Sequence, residues 1–497
     1  MMKLFLAGDQ VRPGLSENGG KCQNSFPRFM MPSNPSPINS MALQGTRSGN
    51  PILERWAEVL SAKGDVPALF AADGTVERTF ADLQTEASQW AGRLAGFPVV
   101  ALQMRNQPVW PAVLLGAWQA GGVVVLMDAD LSGERRLRVE AQSGVSVRVE
   151  GSGEIVGLEN PSAPRGRERP DLLKLSSGTN GEVRAIRFTA AQLMADGDTV
   201  CGTMGLRETD RNYGAISFAH SYGFSNLITP LLCRGISLVV ADDMMPRALL
   251  EGLTKSRATV FPAVPALFRA LAGIVPQTIN LRLCVSAGAP LTAEVANAFR
   301  QTWGRKVHSF YGASECGGIC YDGSDDPVPE GFVGSAMQGV TVESLGESSS
   351  GRIEVRSAAV GLGYQPSEEE GDLSFGVFRP ADLLERTETG YVIKGRISAI
   401  INVAGRKVSP QEIAEVVSLC PGVSEVAVVG LPAASRGEEV AVCVVGVVTD
   451  ENLKEFCASR LAAWKVPRHF RVLRQLPVNG RGKTSVETLR ALFEPEG

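Results

Sequence analysis

Apolar positions along this chain fall into two alternating patterns, helical spacing and short continuous β-branched runs, starting at about Pro51. FADLQTEASQWAGRLAG (Phe80 to Gly96) has the helical spacing, whereas VVALQM (Val99 to Met104) and VVVLM (Val123 to Met127) read as buried strands. Helices alternating with such strands imply parallel sheets covered by helices. The long apolar stretch Val109 to Met127 is broken by Pro111, Gln119 and the Gly121-Gly122 pair, which predicts a short helix and a strand and no transmembrane segment. Ser152 to Pro170 is Gly-, Pro- and charge-rich and reads as an exposed connection. The rhythm resumes at ISLVVA (Ile236 to Ala241) and LRLCVSAGAP (Leu281 to Pro290). After Gly339 come short strands and turns, GRIEVRS and GYVIKGR, a smaller β-rich unit.

The last hundred residues have their own order: EIAEVVSL as helix, VSEVAVVGL and EVAVCVVGVV as strands, ENLKEFCASRLAA as helix. The expected fold is α/β: a large N-terminal domain of parallel-sheet subdomains with a small β-rich subdomain, over 51–395, and a small α+β domain over 396–497. Residues 1–50, rich in Pro, Asn, Ser and Gly, read as a disordered leader or a misplaced start, with Met41 an alternative initiator.

Composition narrows the function. The 497 residues suggest two to four domains. With 49 basic against 53 acidic residues and a net charge of −4, there is no global basic field for nucleic acid. Nine scattered cysteines and only three histidines (His220, His308, His469) argue against a zinc site or a disulfide framework. Reduced thiols and a cytoplasmic setting are the expectation.

Candidate chemistry begins at LSSGTNGEVRA, Leu175 to Ala185, where two serines, two glycines and a threonine stand between strand-like runs. Small residues let backbone N–H groups approach an anion, and hydroxyls and Arg184 add donors and charge, so the loop reads as a polyphosphate cradle. It lacks the G-x-x-x-x-G-K-[ST] spacing, and GRGKT (Gly480 to Thr484) has Pro477 where that motif needs its first glycine. YGASECGG, Tyr311 to Gly318, follows an expected strand Lys306 to Phe310. There Tyr311 is able to stack on a base, Ser314 to donate to a phosphate, and Glu315 to hold a hard cation. SAGAPL (Ser286 to Leu291) is a small-residue turn at a strand end, where open α/β sheets expose ligand loops. Asp382 in RPADLL offers a carboxylate that accepts from two ribose hydroxyls. In GRISAIINVAGRKVSPQEIAEVV (Gly395 to Val417), Ser409, Pro410 and Glu412 are explained as a helix cap, but Arg396 and Gly405 are not. Lys483 stands in a Gly-rich loop near the C-terminus.

In this order, over roughly Ile52 to Leu492, these segments resemble the AMP-forming adenylating superfamily, of the acyl-CoA synthetase and aryl-CoA ligase type. The resemblance implies that Ser176, Ser177, Gly178, Thr179, Asn180 and Gly181, with Arg184, grip the ATP phosphates. It places the adenine against Gly288, Ala289, Pro290 and Tyr311, counts Gly312 and Ser314 among the nucleotide-binding residues, and puts Mg²⁺ on Glu315 and the ribose on Asp382 and Arg396. His220, Tyr222, Gly223 and Phe224 of SFAHSYGFSN, with Cys316 and Gly317, would flank the acyl pocket. His220 would sit near the substrate carboxylate. Amino-acid adenylation domains usually carry an Asp in that segment, and none is present here. Lys483 would bridge the carboxylate and the α-phosphate, after which a mobile small domain, hinged at Ser398, withdraws it and brings Gly405 to the thiol channel.

The implied reaction is ATP-dependent activation of a fatty or aryl carboxylic acid, then transfer to coenzyme A; the alternatives are loading of a phosphopantetheine-bearing acyl carrier protein, or a degenerate nucleotide-binding homologue. The sequence departs from the family pattern at Asn180 for Thr, Val183-Arg184-Ala185 for Pro-Lys-Gly, Pro380-Ala381 for Thr-Gly, and Ser398 for the hinge Asp. Arg in place of Lys keeps the charge but changes its geometry.

Overall fold

A computed structural model of the protein describes residues 49–131, 133–158, 168–177, 183–278, 280–327, 329–346, 350–365, 372–374, 376–396, 401–403, 406–408, 410–433, 437–477 and 486–493. Its strands, among the described residues, form three sheets. The largest has a parallel block in the order Pro67–Ala71, Ser237–Val240, Arg211–Gly214, Val260–Ala263, Leu283–Ser286, Val307–Ala313. A second sheet pairs Val99–Gln103 in parallel with Val123–Leu126 and Val147–Glu150, and Val123–Leu126 in parallel with Leu172–Ser177. Continuous apolar runs therefore become parallel strands buried on both faces, as periodicity predicts. Helix Trp110–Gln119 lies on the second sheet and helix Phe80–Leu94 packs against that helix, with Trp90, Trp110 and Trp118 in one apolar core.

The β-rich stretch after Gly339 is present and is joined to both larger sheets. The large sheet continues as Val307–Ala313 turns back antiparallel into Gly317–Tyr321, then Phe332–Ala336, Tyr391–Arg396 and Asp382–Arg386 follow, whereas Gly363–Gln365 pairs antiparallel with Val183–Phe188 of the second. This continuity reflects backbone pairing between distant segments, which local periodicity does not encode. The connection expected over Ser152 to Pro170 contains a strand, Glu154–Gly157, antiparallel to Val147–Glu150. Four C-terminal elements appear where read, helix Pro410–Ser418, strands Val423–Ala433 and Gly437–Gly446, and helix Asp450–Ala458, which stops short of the expected Ala463; strand His469–Leu473, parallel to Gly437–Gly446, was not expected. Ile413, Val417, Val442, Val444, Leu453 and Phe470 form their core. The cap residue Ser409 and residues 1–48 lie outside the described residues.

At the amino ends of three parallel strands, buried Asp210 accepts from Arg207 N at 2.7 Å, Thr259 Oγ1 at 2.9 Å and Arg282 Nε at 2.6 Å. Burial pushes its carboxyl pKa up, but Arg282 and these donors outweigh it and hold the pKa below the usual aspartate value. A depressed carboxylate stabilises the fold above the unfolded pKa of about 3.9 and loses that contribution as pH falls through the folded value. Asp210→Asn should cost about 1.5–3 kcal/mol near neutrality, and the deficit should shrink below about pH 4, read from denaturation midpoints against pH.

Candidate active site

Opposite Asp210, the carboxyl ends of the parallel strands surround a cavity of about 210 Å³. Ile216 follows the strand ending at Gly214, Val264 the one ending at Ala263, and Ala287 and Gly288 the one ending at Ser286. Gly312, Ala313 and Ser314 close the fourth side, and Leu175 and Ser176 reach in from the second sheet. Such a crevice is where open α/β sheets bind ligands, because consecutive connections there leave in different directions.

The phosphate segment is a hairpin, Leu172–Ser177 antiparallel to Val183–Phe188, with Ser176 on the cavity. Gly178, Thr179, Asn180 and Gly181 at its tip lie outside the described residues, as do Ser398, Gly405 and Lys483, and the side chains of Ser177 and Arg396. Arg184 leaves the hairpin exposed, with its guanidinium 5.6 Å from the centre of the Tyr364 ring. Tyr364 Oη donates to Glu315 Oε1 at 3.0 Å. Burial, then the Glu315 charge, raises the Tyr364 pKa, so this hydroxyl stays a donor. Arg184, Tyr364 and Glu315 thus form one chain of contacts between the phosphate hairpin and the carboxylate expected to hold a metal.

The strand expected over Lys306 to Phe310 runs from Val307 to Ala313, so Tyr311 and Gly312 belong to it, and a register shift falls between them. Only Ser314, Glu315 and Cys316 remain for the turn into Gly317–Tyr321. Tyr311 Oη donates to Asp382 Oδ2 at 2.8 Å, joining the two residues expected to take adenine and ribose. Burial, then Asp382, lifts the Tyr311 pKa well above its ordinary value and keeps it protonated. Gly288, Ala289 and Pro290 form an exposed turn in which Gly288 has φ +86°, a conformation open to glycine.

On the acyl side His220, Ser221, Tyr222 and Ser225 line the cavity together with Gly317. His220 Nε2 stands 3.4 Å from Asp128 Oδ2. Three residues expected on the wall lie behind it. Gly223 packs against the Ser217 carbonyl with no room for a methyl group, Phe224 is 1% exposed, and Cys316 is fully buried. Helical geometry turns Gly223 and Phe224 away when Ser221, Tyr222 and Ser225 face inward. Burial raises the Cys316 thiol pKa well above its ordinary value, which removes it as a nucleophile.

Beneath this wall lies a polar group that sequence reasoning missed. Lys174 is 1% exposed, its ammonium 4.7 Å from the Phe188 ring centre and 5.3 Å from that of Phe224. Burial pushes its pKa down, opposed chiefly by Asp196. Buried Asp196 accepts from Ser225 Oγ and, at 3.0 Å, from Gly318 N. A side chain at Gly317, whose φ is +70°, would collide with the Asp196 carboxylate. A cation inside the apolar run Leu172 to Leu175 was the available sign; Asp196, Asp128 and Tyr364 carried none.

No group of three or more His, Cys, Asp or Glu able to hold a metal exists among the described residues. Glu315, a half-buried carboxylate, nevertheless fits Mg²⁺, which takes one or two protein oxygens and completes its shell with substrate phosphates and water. No helix among the described residues is long and apolar enough to cross a membrane.

The family model described as AMP-binding enzyme matches residues 54–165 and 156–365, and that of the AMP-binding enzyme C-terminal domain matches 412–483. The chain belongs to the AMP-binding enzyme family, as an adenylate-forming enzyme of the acyl-CoA synthetase type. It is an AMP-forming acid–thiol ligase. Relatives include the long-chain-fatty-acid–CoA ligase FadD13 of Mycobacterium tuberculosis, 24% identical over 84% of this chain and 93% of that protein. Sulfoacetate–CoA ligase of Cupriavidus necator is 28% identical over 67% of this chain and 69% of its own length. The fold is shared with ATP-bound MatB from Rhodopseudomonas palustris, at a TM-score of 0.76 and 24% identity, covering 88% of this chain and 98% of that one.

Proposed function

We propose that this chain activates a fatty or aryl carboxylic acid with ATP, releasing pyrophosphate, and passes the acyl group to the thiol of coenzyme A. The observation that carries this reading is the convergence of Ser176, His220, Gly288, Gly312 and Ser314 on one cavity, from segments far apart in the chain. Body residues 51–395 hold the nucleotide and the acid, and residues 396–497 supply Lys483. A carboxylate is a poor acyl donor because an oxide would have to leave. Its attack on the α-phosphorus makes a mixed anhydride from which AMP leaves readily, and the thiol sulfur then replaces AMP at the acyl carbon.

Each side chain has a role in this scheme. Ser176, the hairpin tip and Arg184 bind the β- and γ-phosphates. The Gly288 turn and Tyr311 face the adenine, and Asp382, oriented by Tyr311, accepts from the ribose. His220, steadied by Asp128, lies beside the incoming carboxylate. Glu315, braced by Tyr364, would hold Mg²⁺, which when bound offsets the charge on the phosphates. Lys483 balances the charge that develops at the α-phosphate. Relatives acting on long-chain fatty acids, sulfoacetate and ferulate support acid activation without selecting the acid.

Pyrophosphate release with ATP, Mg²⁺ and a panel of carboxylic acids tests the reading, followed by addition of coenzyme A or a phosphopantetheinylated carrier protein. Acid-dependent pyrophosphate and an acyl-CoA product are expected. Nucleotide binding with no pyrophosphate from any acid would sink it, and acylation of the carrier alone would replace the acceptor.

A further inference from the structure

The acyl side of the cavity deepens from His220, whose side chain is 25% exposed, to Ser225 one helical turn on, which is 2% exposed. Between them the walls are mostly apolar: Ile216, Val264, Phe310, Ala313 and the ring of Tyr222. Tyr222 Oη is already committed, donating to the Val285 carbonyl at 2.8 Å. The cavity of about 210 Å³ also carries Ser176, Gly288, Gly312 and Ser314 on its nucleotide side, so only the part beside His220 and Ser225 is left for the acyl group, which must be compact.

Ser225 breaks the apolar character at the inner end. It sits in a π-helical turn, Phe224–Ile228, a rare distortion often found at functional sites. Neighbours stabilise the turn: Thr229 Oγ1 donates to the Phe224 carbonyl at 3.0 Å and Asn212 Nδ2 to the Asn226 carbonyl at 3.1 Å. A hydroxyl has one proton and two lone pairs. The Ser225 proton goes to the Asp196 carboxylate, an acceptor held in place by Gly318 N and balanced by the buried Lys174 ammonium. What Ser225 Oγ has left to offer is acceptor capacity alone. On the same helix face, Ser221 Oγ is buried and has no partner among the described residues. A buried hydroxyl left unpaired is destabilising, and a bound group is one way to complete it.

Building on the acid-activation reading above, we propose that the acid carries a hydrogen-bond donor, a hydroxyl or an amine, at the end of a compact apolar body remote from its carboxylate, and that Ser225 receives it. Asp196 is a positioning residue in this scheme: it commits the Ser225 proton and so sets the polarity of the inner end.

The test uses the full chain and matched acids: hydroxybenzoates against methylbenzoates at each ring position, and 5-hydroxypentanoate against hexanoate, with kcat/KM for pyrophosphate release and acid binding by titration calorimetry. The wild type should favour at least one hydroxylated acid over its methyl partner by about 10- to 100-fold. Ser225→Ala should collapse that ratio toward one. Asp196→Asn, which lets the Ser225 proton turn toward the cavity, should shift preference from hydroxyl- to methoxy-substituted acids. Equal kcat/KM within every pair, with robust pyrophosphate release, overturns the donor proposal and leaves acid activation standing. Selective binding of hydroxylated acids that Ser225→Ala abolishes, without pyrophosphate, sustains the donor proposal and sinks acid activation. Neither selective binding nor turnover overturns both.

Discussion

Lys483→Ala should lower acid-dependent pyrophosphate release about 10²- to 10³-fold, the usual consequence of removing one charge aimed at a transition state. Attack on the α-phosphorus concentrates negative charge between the entering carboxylate and the departing pyrophosphate, and a lysine meeting both oxygens stabilises that arrangement more than it does the bound substrates. The loss should therefore appear in kcat, with a smaller change in KM for ATP. Thioester formation from a preformed acyl-adenylate should be much less affected, because the small domain is expected to withdraw Lys483 before the thiol arrives. Equal rates for variant and wild type would mean that Lys483 has been misassigned. A matching loss in both half-reactions would point to damage to the C-terminal domain as a whole.

Asp196→Ala should destabilise the body by about 3–5 kcal/mol, the range for breaking a buried charge arrangement from one side. The substitution removes the acceptor for Ser225 Oγ and Gly318 N and leaves the Lys174 ammonium buried between two aromatic rings with its main counter-charge gone. Adding Lys174→Met should recover a substantial part of the loss, since an unpaired buried cation costs more than an apolar chain of similar volume. Denaturation midpoints for both single variants and the double variant give the coupling; a double variant no more stable than Asp196→Ala would sink the account. The pH dependence carries a sign. Burial lowers the folded pKa of Lys174, so between that value and the unfolded value of about 10.4 the unfolded chain binds the extra proton and stability rises with pH. Lys174→Met should remove that rise.

Much of this architecture was legible in residue order because its signals are local. Periodicity located the strands Val99–Gln103 and Val123–Leu126 and the helix Phe80–Leu94, since burying an apolar face dictates spacing within each segment. Ser176 and Gly288, singled out in the sequence for their small-residue surroundings, both line the cavity. The segment around Tyr311 was read one step short: the strand carries on to Ala313 because pairing with Gly317–Tyr321 extends it, and that pairing is set by the partner strand.

What residue order determined by itself was the inventory: alternating elements, a Gly- and Ser-rich segment after Leu175, a carboxylate at Glu315, and a histidine at His220 in a segment without aspartate. Only the tertiary structure decided which side chains meet. Tyr364 reaches Glu315, Tyr311 reaches Asp382, and Asp196 takes the proton of Ser225, across separations of 49, 71 and 29 residues. The same packing moved Gly223, Phe224 and Cys316 behind the pocket wall. The physical reason is that helix and strand periodicity follows from the chain's own backbone, whereas hydrogen bonds between side chains depend on how whole elements settle against one another.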